Sequence, residues 1–199
     1  EYLFDVVVFE ELWRAGTSGP GFLIHTDLVA TYILSFGTED QKRKFLPKMV
    51  TGEWIGSLGM TEPHAGSDLK AIRTKAERDG NEFVVNGQEV FLSSGLLCDV
   101  LVLAAKPGSA AGALFFDNVR LPPENMLGEE GQGFPLMMTK LAQERLAQAI
   151  RSATVAETVI QWTVDYTMGR TAFGKSIFDQ QNTQFKLAQL QAEATAMRV

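Results

Sequence analysis

The sequence predicts an α+β fold, with helices at either end and a small antiparallel β domain between them, and three observations carry that prediction. Apolar residues recur at helical spacing up to about residue 52 and again from Phe134 onward. Between these regions, short runs of alternating or β-branched residues are separated by Asp-Gly, Asn-Gly and Pro-Pro dipeptides. The chain has 199 residues, 45% of them apolar, which is enough to bury a substantial core. The expected division is an N-terminal helical domain over 1–52, a central β domain over 53–123 and a C-terminal helical domain over 124–199.

The stretch Glu1 to Ala15 places Leu3 with Val7, and Phe4 with Val8 and Leu12, at helical spacing, and Gly16 stops it. A Gly/Ser/Pro link follows over 16–21. Phe22 to Phe36 reads as a second helix closed by Gly37. Thr38-Glu39-Asp40-Gln41 has the form of a capping box, with Thr38 as N-cap, and opens a short amphipathic helix to about Leu46.

Strands are expected next. Trp54 to Met60 alternates bulky and very small residues, as suits a strand approached closely by something flat. Ile72, Thr74 and Ala76 alternate before Asp79-Gly80, and Phe83 to Val85 runs into Asn86-Gly87; both dipeptides are hairpin signals. Val90 to Ser93, Val100 to Ala105 and Ala113 to Phe116 supply further strands, ending near Pro122-Pro123. From Phe134 a long helix is expected. At a hundred degrees per residue, Met137, Leu141, Val155, Val159, Trp162 and Tyr166 fall on one stripe, Glu144 and Gln148 fall on it too, and Arg151 lies at its edge. A second helix starts near Thr183, with Phe185, Leu187, Ala188 and Leu190 as its apolar positions.

Composition excludes several classes. A net charge of −6 argues against a nucleic-acid partner, because tracking phosphates needs an excess of Lys and Arg. The single cysteine, Cys98, has no partner for an internal disulfide, and with His25 and His64 it makes no metal-ligand set, which fits a reducing compartment. No apolar run approaches a membrane span, and no signal peptide opens the sequence.

Three stretches could carry chemistry. Met60-Thr61-Glu62-Pro63-His64-Ala65-Gly66-Ser67-Asp68 offers hydroxyls and free backbone N–H groups at a sheet edge, where an anionic or heteroaromatic ligand can be held; a lone Gly-Ser-Asp would be a surface turn. Glu144 is a carboxylate on an apolar stripe. Burial raises its pKa and makes it a candidate general base, unless it is merely satisfied by Arg151 or Gln148. In Arg170-Thr171-Ala172-Phe173-Gly174-Lys175, the Arg fork suits phosphate and Phe before Gly gives a stacking face, although an ordinary helix end would look the same. Phe91-Leu92-Ser93-Ser94-Gly95 taken alone is a turn. The glycines of 128–133 follow no strand and make no dinucleotide loop, and His25 and His64 complete no nucleophile–histidine–acid arrangement.

In this order the pieces resemble the acyl-CoA dehydrogenase family over almost the whole chain. The resemblance rests on Met-Thr-Glu-Pro-His-Ala-Gly-Ser-Asp at 60–68, Phe-Phe-Asp-Asn-Val-Arg-Leu-Pro at 115–122, Leu-Gly-Glu-Glu-Gly-Gln-Gly-Phe at 127–134, Gln-Glu-Arg-Leu at 143–146 and Arg-Thr-Ala-Phe-Gly-Lys at 170–175. It implies an FAD enzyme of fatty-acid oxidation in which a carboxylate takes the α proton of an acyl-CoA and the β hydrogen leaves as hydride to flavin N5. By motif, Thr61 and the backbone from Met60 would face the flavin, and Gly66 would belong to the same loop. Ser67 would lie near the phosphates of FAD and CoA. Phe91 would stand against the ring and Ser93 near N5, while Arg170, Phe173 and Gln181 would reach the FAD of the partner subunit. Glu144 matches the base of the long-chain and isovaleryl branches, and Arg145 an arginine beside the acyl-CoA site. The implied partners are an electron-transfer flavoprotein as acceptor and further copies of the chain, in a dimer or tetramer. The implied compartment is a bacterial cytoplasm or, in a eukaryote, the mitochondrial matrix.

The sequence also departs from the family. It is shorter at both ends, and Lys106 to Ala113 joins two strands where the family has more, so an incomplete chain is expected. Ser94 stands where Asn is usual, and Gly169 where Glu often precedes the arginine. Two other readings remain beside the dehydrogenase: an acyl-CoA oxidase, which passes electrons to oxygen, and a non-catalytic scaffold subunit.

Overall fold

The structure, a computed structural model, describes residues 2–17, 19, 21–106 and 114–198, and the residues fall into two compact units, 21–144 and 1–20 with 145–199. Each is described by itself.

The central unit, 21–144, begins with a continuous helical stretch. Its first part, Leu23–Ala30, has widened π-type turns, and α2 (Thr31–Phe36) continues it to Gly37. Helix α3 (Glu39–Val50) follows, and the expected capping box is present: the Thr38 hydroxyl accepts from the Gln41 backbone N–H while the Gln41 side chain accepts from that of Thr38. Strand β1 (Gly56–Gly59) pairs with β4 (Val100–Leu103), and β2 (Lys75–Asp79), β3 (Glu82–Glu89) and β5 (Leu114–Leu121) form a second sheet in that order. The core lies where the helices meet β1 and β4, around Val29, Ile33, Met49 and Val100. Gly56 makes this approach possible, because a Cβ there would sit 2.8 Å from Val29 Cγ1 and 2.9 Å from Met49 Cε. His25 fastens the same seam: its Nε2 bonds the Met49 carbonyl at 3.0 Å and its Nδ1 accepts from the Gly56 N–H at 2.9 Å.

Five strand expectations are corrected. The three-stranded sheet is antiparallel, but β1 and β4 run parallel. β1 starts at Gly56 rather than Trp54, and β2 at Lys75 rather than Ile72. Asn86-Gly87 makes no hairpin: β3 runs straight through it with a register irregularity, Asn86 Oδ1 accepts from the Asn118 N–H, and Gly87 is needed because a Cβ would overlap the Thr74 side chain. Val90 to Ser93 is not a strand, since the backbone turns at Phe91, where φ is +56°. The stretch 107–113, where the chain looked too short, lies outside the described residues, as do Glu1, Ser18 and Pro20.

The helical unit holds α1 (Tyr2–Arg14), the larger part of α4 (Gly133–Gly169), the two-residue strands β6 (Thr171–Ala172) and β7 (Lys175–Ser176), and α5 (Gln181–Arg198). Arg198 ties all three helices, reaching Glu10 at 2.6 Å and Glu157 at 3.4 Å. Arg151 stacks 4.4 Å over the Trp13 ring. The predicted stripe on α4 is buried at Met137 but largely exposed at Trp162 and Tyr166.

Candidate active site

The loop 60–68 leaves the end of β1, and the segment 90–93 leaves the end of β3; one backbone bond joins them, Val90 N–H to Thr61 O at 2.7 Å. A second tie holds the later segment to β1, Ser57 Oγ donating to Ser93 O at 2.7 Å. Glu62 shapes the loop from within. Its buried carboxylate accepts the backbone N–H of Arg73 (2.7 Å) and Thr74 (2.5 Å) and lies 3.1 Å from His64 Nε2. Asp68 caps the following 3-10 turn through the Lys70 N–H. The loop's own carboxylates are thereby committed to its architecture, leaving Gly66 and Ser67 exposed.

Phe91 is 93% exposed and Phe173 fully so, and both hold left-handed backbone, with φ of +56° and +53°. A bulky residue there is strained, and such strain persists where the surroundings over-determine it, typically at ligand sites. Two aromatic rings presented to solvent on strained backbone, one beside the exposed Ser67 loop, fit residues that stack on a flat heteroaromatic group such as a flavin. In the helical unit, Phe173 sits in the tight β6–β7 turn that follows Arg170, and Gln181 opens α5.

Glu144 is on α4, half-buried. Its Oε1 is buried without a hydrogen-bond partner, and burial pushes its carboxyl above the usual range. It is not paired with Arg151, which stacks on Trp13 instead. Arg145, the next residue, is exposed.

Two residues of this unit escaped the sequence reading. Tyr32, on α2, is 4% exposed with a hydroxyl that finds no hydrogen-bond partner; burial, and secondarily the Glu144 charge, push its pKa up. Glu89, at the end of β3, is 1% exposed, and neither oxygen makes a well-formed hydrogen bond. Burial first, then repulsion from Glu62, push Glu89 up to about 7, against a smaller opposing pull from the Thr61 backbone and the Thr74 hydroxyl. The period of two in β3, which buries Phe83, Val85, Gly87 and Glu89 in turn, is the signal that could have found it. A cavity of about 700 Å³ lies in the same unit, lined by Tyr32, Phe36, Phe45, Val85, Leu103 and Phe134 among others. Among the described residues no group of three or more His, Cys, Asp or Glu could hold a metal, and no helix is long and apolar enough to cross a membrane.

Profiles of the acyl-CoA dehydrogenase N-terminal, middle and C-terminal domains match residues 1–53, 57–121 and 131–199. The chain belongs to the acyl-CoA dehydrogenase family, a family of flavoprotein oxidoreductases of fatty-acid metabolism. It is 36% identical over 233 positions to the mitochondrial long-chain specific acyl-CoA dehydrogenase of Mus musculus, covering 100% of this chain and 54% of that one. The crystal structure of an acyl-CoA dehydrogenase from Geobacillus kaustophilus superposes with a TM-score of 0.91 at 38% identity, over 98% of this chain and 61% of that chain. A glutaryl-CoA dehydrogenase of Mycobacterium smegmatis, solved in complex with FADH2, gives 0.83 at 27%, over 96% and 57%. The chain thus spans about half the length of the curated relatives it matches. Its 199 residues also align over 233 positions with the mouse protein, so at least 34 positions within the matched span have no counterpart here.

Proposed function

We propose that the protein is an FAD-dependent acyl-CoA dehydrogenase, forming a trans-2-enoyl-CoA from a saturated acyl-CoA thioester. Glu144 carries this reading: a carboxylate with one oxygen buried and unpartnered, raised by burial, in the Gln-Glu-Arg-Leu sequence. An α C–H is a very weak acid, and its removal needs a base whose charge water does not quench. Ionised Glu144 accepts the proton as the Cα–H bond breaks, and that electron pair becomes the new C=C bond as hydrogen departs from Cβ with its own pair. When bound, FAD supplies the acceptor for that hydride. The chain's own contribution to holding it is the backbone from Met60, Thr61, Gly66, Ser67, Phe91 and Ser93, with Arg170, Phe173 and Gln181 reaching the FAD of a partner subunit. Ser67 lies near the phosphates of FAD and CoA, and Arg145 beside the acyl-CoA site.

The three segments 1–52, 53–123 and 124–199 act as helical, β and helical domains of this enzyme. Its acceptor is an electron-transfer flavoprotein, it assembles with copies of itself as a dimer or tetramer, and it works in a bacterial cytoplasm or a mitochondrial matrix. The test is anaerobic titration of the purified full-length protein with a panel of acyl-CoAs. A yellow protein whose flavin absorbance bleaches supports the dehydrogenase. The scaffold reading is motivated by the 34 or more missing alignment positions, and a colourless protein that takes up no FAD would establish it. Peroxide formed at the rate of substrate loss would favour an oxidase.

A further inference from the structure

Ser57, on β1, is 0% exposed, and its hydroxyl donates to the Ser93 carbonyl at 2.7 Å. The Ser57 backbone is paired with Leu101 of β4, so the hydroxyl is a donor that the sheet does not use. The segment that receives it is strained twice within four residues: Phe91 and Ser94 both hold left-handed backbone, with φ of +56° and +61°. Neither is glycine, and such a turn persists only where its surroundings over-determine it. We propose that Ser57 is a positioning residue for the flavin site, its buried hydroxyl fixing the 91–94 turn so that Phe91 and Ser93 are already presented when the ring binds. The inference rests on the reading of 60–68 and 90–93 as the flavin-facing segments.

The bonding pattern singles out this contact. From Phe91 to Cys98 the other hydrogen bonds close on the segment itself: Gly95 N–H to Leu92 O at 3.2 Å, Leu97 N–H to Ser94 O at 2.9 Å and Cys98 Sγ to Gly95 O at 3.5 Å. Local bonds of this kind shape a turn and leave its direction open. On either side the backbone is tied down, Val90 N–H to Thr61 O at 2.7 Å and Asp99 N–H to Ile55 O at 2.9 Å. Between those two anchors, among the described residues, the Ser57 bond is the one hydrogen bond that joins the turn to the sheet. It also links two parts of the candidate site, since β1 runs from Ser57 through Gly59 into the 60–68 loop. Packing limits the turn further, because a Cβ on Gly21 would sit 3.0 Å from Ser94 Oγ. A buried hydroxyl deprived of its acceptor is left unpaired at a cost, so the strand and the turn hold each other in place.

The test is Ser57→Ala in the full-length protein, an exchange that removes one oxygen and adds no bulk. Without FAD, amide exchange at Gly95 and Leu97 should speed about fivefold, the factor that one net hydrogen bond supplies, while β4 exchanges as before. With FAD, the flavin dissociation constant should rise about fivefold for the same reason. Flavin reduction at saturating acyl-CoA should slow, with the half-saturating concentration unchanged. A hydroxyl with only a structural role would lower the thermal midpoint and leave the flavin dissociation constant and the reduction rate as in the native protein, and that result overturns the proposal. Unchanged exchange at Gly95 and Leu97 overturns it too. Native protein that takes up no FAD overturns the reading of this site and the inference with it, whereas native bleaching beside Ser57→Ala protein of native flavin affinity and rate overturns this inference alone.

Discussion

The central unit closes a core of large apolar side chains, with Val29 at 0% and Ile33 at 2% exposure, although Phe91, Leu96 and Phe115 stay in solvent, whereas the helical unit leaves Trp162 at 52%, Tyr166 at 67% and Phe185 at 64%. What is fully buried in the helical unit is mostly small or hydroxylated: Ala147, Ala153, Thr154, Thr167 and Ala194, with Phe9 and Leu187 the larger exceptions. Both units carry comparable apolar patterning, so the difference teaches that spacing marks a face made for burial without saying where its cover comes from. Stability within these 199 residues is therefore expected to reside in the central unit, and the chemistry assigned to Glu144, Thr61 and Phe91 rests on the better-packed part of the molecule.

This contrast can be broken by substitution. Ile33→Ala should cost the central unit about 3 kcal/mol, as a large-to-small change in a closed core, and should appear as faster hydrogen exchange in α2, α3 and β1. A smaller effect comes from Glu89. Its carboxyl is held up to about 7 in the folded unit against about 4.3 when unfolded, so the native state binds more protons between these values. Its contribution is fully present below about pH 4.3 and is lost as pH rises through 7, so that stability falls by roughly 2.5 kcal/mol between pH 5 and 8. In Glu89→Gln, urea midpoints measured from pH 5 to 8 should lose this downward slope. Smallest of all, Trp162→Ala should change stability by about 0.5 kcal/mol or less, because the side chain is half in solvent; a loss as large as that of Ile33→Ala would show that the helical unit has a core of its own.

Local signals were legible in the sequence and long-range ones were not. The Thr38 capping box, the Gly16 stop and the extent of α4 are dictated by residues within a turn or two, and they occur as expected. The Asn86-Gly87 dipeptide misled, because Gly87 answers a contact with Thr74 rather than a turn. The parallel pairing of β1 with β4 joins residues over forty positions apart and has no local signature. Within the candidate site, Glu144 was visible as a charge on an apolar stripe, and the 60–68 loop as a dense run of turn residues and hydroxyls. Tyr32 was invisible, since an aromatic in a helix is ordinary until its hydroxyl is found buried without a hydrogen-bond partner. Glu89 was hidden by the attention that Asn86-Gly87 drew to a turn.

The assignment of bond breaking to Glu144 is tested most directly by anaerobic acyl-CoA titration of Glu144→Gln protein loaded with FAD. The variant should keep its flavin absorbance at native stoichiometry and show no bleaching, because the amide cannot take the α proton. Bleaching at the native rate would place the base elsewhere and contradict the account.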